Sequence, residues 1–180
     1  MWNPPPTGAS GILAKSRPAG RAAKASASWR KKLPLYPYLQ QVGTVEICPA
    51  FDYRSDQWKA KFNGASWGYG YNWRLGGKFR GAPLAHVAQL TGGDVILFGD
   101  CAQINSFQPP ASPDNPMLEE FYIIDEREIS IHFRHGGTAN FVFADGSVRA
   151  LKPEPGTGDP RLPEAGIGRI TPRGSLRYLE

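Results

Sequence analysis

Apolar positions in this chain alternate more often than they recur at helical spacing. In SWGYGYNWRLGG (66–77), Trp67, Tyr69, Tyr71 and Trp73 share one face, the two-residue period of a strand. GDVILFGDC (93–101) is apolar between bounding glycines and predicts a buried strand. FYIID (121–125) and EISIHFR (128–134) predict two more, the second alternating Ile129, Ile131 and Phe133 with Ser130, His132 and Arg134. NFVFADGSVRAL (140–151) is the sharpest local signal, since two β-rich runs flank Asp145-Gly146, the pair suited to a two-residue type I′ hairpin. VEICPAF (45–51) predicts a short strand ended by Pro49. PLAHVAQL (83–90) reads as helical turns, with Pro83 near its start and Gly92-Gly93 as its stop, and WRKKLPLYPYLQQ (29–41), interrupted by Pro34 and Pro37, as a helical turn and an extended stretch. The predicted fold is α+β with little helix, centred on an antiparallel meander of about 128–134, 140–144 and 147–151.

Composition sharpens this picture. Gly 21 and Pro 17 among 180 residues favour loops and short strands over long helices. No apolar stretch approaches the ~18 residues of a membrane helix, and Met-Trp-Asn-Pro-Pro-Pro shows no signal-peptide pattern. The net charge of +5 is concentrated: Lys15, Arg17, Arg21, Lys24, Arg30, Lys31 and Lys32 all precede the first acidic residue, Glu46. Removing those seven from the 21 basic residues leaves 14 against 16 acidic, a balance of −2. The body is nearly neutral, so no nucleic-acid partner is expected. The expected organisation is a basic flexible segment (1–28), a globular domain (29–151) and a Pro/Gly-rich extension (152–180).

Across the predicted hairpin runs HGGTANFVFADG: His135, nine residues, then Asp145 and Gly146. This H-x9-DG spacing resembles the C-terminal signature of bacterial prepilin-like, pseudopilin-type proteins. Further matches follow in family order: Leu35-Tyr36-Pro37-Tyr38-Leu39, Ile47-Cys48-Pro49, Trp67-Gly68-Tyr69-Gly70-Tyr71-Asn72 and Val95-Ile96-Leu97-Phe98-Gly99-Asp100. Together they cover about residues 29–151. The resemblance implies a pseudopilin-like globular domain and a non-enzymatic role in a type II secretion-like or type IV pilus-like system. It also implies a cell-envelope location, periplasmic or extracellular, with other pilin-like or secretion-system subunits as partners. Family members begin with an apolar anchor helix, and nothing of that kind precedes Trp29. The 180-residue chain is therefore expected to be soluble, not to polymerise, and to touch membranes only weakly through its early cations.

Other residue patterns carry weaker chemistry. His135 and Asp145 suit a metal by type, but a strand over 140–145 would span about 16 Å and separate them. Their ordinary roles are a turn cap for Asp145 and a hydrogen bond to a loop carbonyl for His135. Gly64-Ala65-Ser66-Trp67-Gly68 matches G-x-S-x-G, with Asp100 and His135 following in hydrolase order, yet the elbow's strand–turn–helix context is missing. No catalytic residue is assigned. The stripe Trp67, Tyr69, Tyr71 and Trp73 is expected to be covered as part of the core; exposed, it would be a platform for a glycan or a protein. Because the resemblance implies an oxidising compartment, Cys48 and Cys101 are expected to pair as a disulfide. Glu154 and Asp159, two loop carboxylates, are fewer than calcium recruits and are expected to be solvated. No metal and no cofactor are expected.

Overall fold

A computed structural model of the chain describes residues 48–61, 68–76, 86, 88–89, 92–175 and 177–180. The segment 1–28, Trp67 and Ser66 lie outside the described residues. The strands described are β1 (Trp58–Lys59), β2 (Tyr69–Asn72), β3 (Ile96–Asp100), β4 (Gln103–Asn105), β5 (Met117–Glu119), β6 (Ile123–Ile124), β7 (Ile131–His132), β8 (Ala139–Phe143), β9 (Val148–Leu151) and β10 (Ile167–Gly168). A five-stranded sheet has the order β6-β2-β3-β8-β9, and smaller sheets run β1-β5-β4 and β10-β7. In the large sheet β2, β3, β8 and β9 are antiparallel, and β6 joins parallel to β2. Among the described residues, helix is confined to 3-10 turns at Trp73–Gly76 and Pro163–Ala165 and helical residues at 86 and 88–89. The fold is β-rich with little helix. Among the described residues no helix is long and apolar enough to cross a membrane.

The β8-β9 hairpin stands where the pattern places it, but its turn differs. Gly146 donates to Phe143 at 2.9 Å, and Phe143 donates to Ser147 at 2.9 Å, which leaves Ala144, Asp145 and Gly146 as a three-residue loop. Gly146 alone takes a positive φ, 81°, so this is a type I turn completed by a glycine bulge, not a two-residue type I′ turn. Two contacts select it. Ala144 is buried and donates to the Val95 carbonyl at 2.7 Å, while the Asp145 carboxylate accepts the Ser147 N–H at 2.8 Å.

The third meander strand is a correction. The partner of β8 on its inner side is β3, whereas β7 pairs with β10. Residues 130–133 are buried without alternation, so they serve as an interior segment rather than a half-exposed strand. The C-terminal residues cover them: Leu162, Ile167 and Leu179 are buried, and Tyr178 accepts the Ile96 N–H at 2.8 Å. Residues 152–180 are accordingly part of the fold, within the compact unit Gln41–Glu180, and not an extension of it. The expected strand at 45–51 is a turn in its described part, closed by Phe51 N–H to the Cys48 carbonyl at 3.1 Å.

The large sheet has two dissimilar faces. Its inner face sets Ile96, Ala139, Phe141 and Phe143 with Cys101, Ile131, Phe133 and Leu179 in one core. A second core gathers Cys48, Phe51, Ala102, Ile104, Leu118, Leu162 and Ile167. On the outer face Tyr71, Phe98, Val142 and Val148 are mutual register partners across four strands, and all are exposed. The aromatic stripe is therefore not covered in its described part: Tyr69, Tyr71 and Trp73 face solvent, while Gly70 and Asn72 point inward.

Gly99 lies under the Phe141 ring; a Cβ there would stand 2.2 Å from Phe141 Cδ1. Gly99→Ala is expected to cost about 2–3 kcal/mol in urea unfolding, because Phe141 is itself enclosed. Gly158→Ala, whose Cβ would meet nothing nearer than 3.8 Å, should change stability by no more than about 0.5 kcal/mol.

Candidate functional site

At the end of β3 the outer face changes from apolar to charged. Asp100 and Arg134 form an ion pair with side chains only 1% and 2% exposed. A buried guanidinium needs its donors satisfied, and Arg134 distributes them over several chain segments. Nη2 donates to Asp100 Oδ1 and to the Gly68 carbonyl at 2.5 Å, Nε to Cys48 Sγ at 3.2 Å, and Nη1 to His132 Nδ1 at 3.2 Å. Its plane lies over the rings of Phe51 and Tyr69, at 5.2 and 5.7 Å. The other Asp100 oxygen, Oδ2, accepts the Asn140 N–H at 2.7 Å and faces His135 Nε2 at 3.1 Å.

His135 closes the cluster. The same Nε2 stands 3.6 Å from Cys48 Sγ, and the ligand-type atoms of Cys48, Asp100 and His135 all lie within 4.8 Å of one another. The ring contacts two side chains rather than the loop carbonyl expected for it. A nucleophilic Cys–His–Asp relay needs the carboxylate on one ring nitrogen and the sulfur on the other. Here both meet Nε2, so the arrangement is not that relay. Of the hydrolase-order residues, Asp100 and His135 do come together, while Ser66 falls outside the described residues.

Asp145 belongs elsewhere: it sits in the hairpin turn and pairs with Arg149 at 2.8 Å. Cys48 and Cys101 are free thiols, which corrects the expected disulfide. The reason is strand alternation. Asp100 turns outward to the Cys48 cluster, so Cys101, the next residue, turns inward beneath Gly70 and bonds the Ile123 carbonyl at 3.4 Å. Burial pushes the Cys101 thiol up to about 12, so it stays protonated. Asp159, expected to be solvated, is buried and paired with Arg161 at 2.5 Å.

The sequence patterns missed the cluster as a unit, although each piece lay inside a motif already noted: Cys48 after Ile47, Gly68 in the aromatic–glycine run, Asp100 at the end of β3, and His135 at the head of H-x9-DG. The signal was that shared membership. A second buried polar group carried no such signal. Glu119 is fully enclosed and held by Lys59 at 2.5 Å and by Gln103 and Asn105 at 2.7 Å each.

Two stability outcomes follow from the ion pair and its neighbour. Removing one partner of a buried pair strands the other, so Arg134→Met should cost about 3–5 kcal/mol by urea unfolding. Adding Asp100→Leu to it should cost less than the sum of the singles; additive costs would dissociate the two residues energetically. His132 is enclosed and neutral, with Nδ1 accepting from Arg134; burial first, then the Arg134 charge, pushes its pKa down to about 3. The unfolded chain takes up that proton near the ordinary value of 6.5. The His132 contribution is therefore complete above pH 6.5 and lost as pH falls from there toward 3. Between pH 7 and pH 5, His132→Asn should remove about 2 kcal/mol of the acid sensitivity of the unfolding free energy.

No protein-family model, curated protein or solved structure matches this chain, so its functional reading rests on its own residues and their geometry.

Proposed function

We propose that this chain is a non-enzymatic cell-envelope protein, the globular domain of a pseudopilin-like subunit in a type II secretion-like or type IV pilus-like system. One observation supports the reading. Residues from four motif segments of the resemblance, Cys48, Gly68, Asp100 and His135, meet around Arg134. Four short motifs matched by chance would have no reason to share one contact set. The exposed row Tyr71, Phe98, Val142 and Val148 is then the surface offered to neighbouring subunits.

The test is a photo-crosslinking residue at Phe98 in the native host. The expected result is recovery with the envelope fraction and crosslinks to pilin-like or secretion-system subunits. Recovery in the cytosol without such crosslinks would refute the assignment.

The same surface favours a second reading, a carbohydrate-binding module. Tyr71 and Trp73 are exposed with ring centroids 6.3 Å apart, and Tyr69 is exposed beside them. On that reading oligosaccharides produce a saturable change in tryptophan fluorescence that Tyr71→Ala abolishes. No change with any glycan leaves the row to protein contact.

A further inference from the structure

Three atoms of different chemistry converge at the rim of the Arg134 cluster: a sulfur, an imidazole nitrogen and a carboxylate oxygen. His135 Nε2 carries at most one proton, yet it faces Cys48 Sγ at 3.6 Å and Asp100 Oδ2 at 3.1 Å. Hydrogen bonding can satisfy only one of those contacts at a time. A metal ion satisfies all three. With ordinary zinc–ligand bonds of about 2.0–2.3 Å, tetrahedral geometry places neighbouring ligand atoms roughly 3.3–3.6 Å apart. The two measured separations bracket that range closely, and the third lies within 4.8 Å.

The surroundings hold the three ligands in place. Arg134 Nε–H occupies one side of the Cys48 sulfur, and the Asn140 N–H bonds Asp100 Oδ2, so both ligand atoms are aimed by outer hydrogen bonds. Arg134 is the group that opposes a cation, but its charge is already matched by Asp100, and the Cys48 thiolate formed on binding adds a second negative charge. His135 is partly exposed, so water can reach a fourth position. Thiolate and imidazole together select zinc-class ions over calcium or magnesium.

We propose that Cys48, Asp100 and His135 form a three-ligand site for a divalent transition-metal ion of the zinc class, with solvent as the fourth ligand. The ion replaces the thiol proton and any proton on His135 Nε2, and releases them to water. It ties the turn at Cys48 to the end of β3 and to the entry of the β8-β9 hairpin. This inference does not depend on the proposed function.

The probe is cobalt(II), added to the full chain after chelator treatment under reducing conditions. The expected result is one equivalent bound, with a sulfur-to-cobalt charge-transfer band and tetrahedral visible bands, all displaced by zinc. Cys48→Ser should abolish the charge-transfer band, and His135→Ala should weaken zinc at least tenfold. Cys101→Ser should leave the spectrum unchanged, because its sulfur lies on the other side of the sheet. Circular dichroism of each variant identifies unfolding. If Cys48→Ser unfolds, cobalt protection of Cys48 from alkylation in the wild-type chain, read by peptide mass, decides instead. No cobalt band, a band that survives Cys48→Ser, or a band that Cys101→Ser removes would overturn the site.

Discussion

The fold depends on one buried charge pair. Removing Arg134 and Asp100 from water is costly, and the cost is met only because every side of the pair is occupied by a fixed partner. Those partners come from distant parts of the chain: a turn at Cys48, the strand start at Gly68, the end of β3, the interior segment at His132 and the hairpin entry at Asn140. Hydrophobic burial alone is tolerant of small shifts between elements. A guanidinium that must reach a sulfur, a carbonyl, a carboxylate and an imidazole at once is not. The pair thereby fixes register among segments whose strands are too short to fix it themselves.

The same logic explains why two buried cores flank the cluster rather than merging. Phe51 stacks on Tyr53, edges against Trp58 and His132, and supports the Arg134 plane, so the second core is built around the cluster's far side. The first core fills the inner face of the sheet beneath Gly99 and Phe141. Cys101 and Asp100, consecutive in sequence, belong to opposite sides of this arrangement. Free thiols are its direct consequence.

Local period and turn chemistry were legible in the residues. The β8-β9 hairpin, the β3 strand and the helix-poor character follow from alternation and from Asp145-Gly146. What was not legible depended on long-range cover. Residues 128–134 alternate as a surface strand would, yet within them both sides of 130–133 are buried because Leu162, Ile167 and Leu179 return over them from a stretch that reads as loop. The type I′ expectation weighed Asp145-Gly146 alone and missed that Ala144 is drawn inward to Val95. The aromatic stripe looked like core because aromatic rings usually are, and only the pairing of four strands shows a whole exposed row. Among the site residues, motif order supplied the members of the cluster but not their meeting.

Strand β3 shows how one short segment divides these duties. Phe98 and Asp100 share the outer face by alternation, but they lie in adjacent rows with opposite environments. Phe98 stands half exposed in the apolar row, while Asp100 is sealed by Arg134, Asn140 and His135. Gly99 between them must lack a side chain so that Phe141 can close over the inner face. A register slip of one residue would send Phe98 into the core, put Asp100 beside it, and leave Gly99 under Arg134. The register shift recorded between Ile96 and Phe98 sets this phase, turning Ile96 inward and Phe98 outward two residues later. The exposed row and the charged cluster are therefore not independent surface features. They are adjacent rows of one face, and the bulge in β3 sets the phase of both.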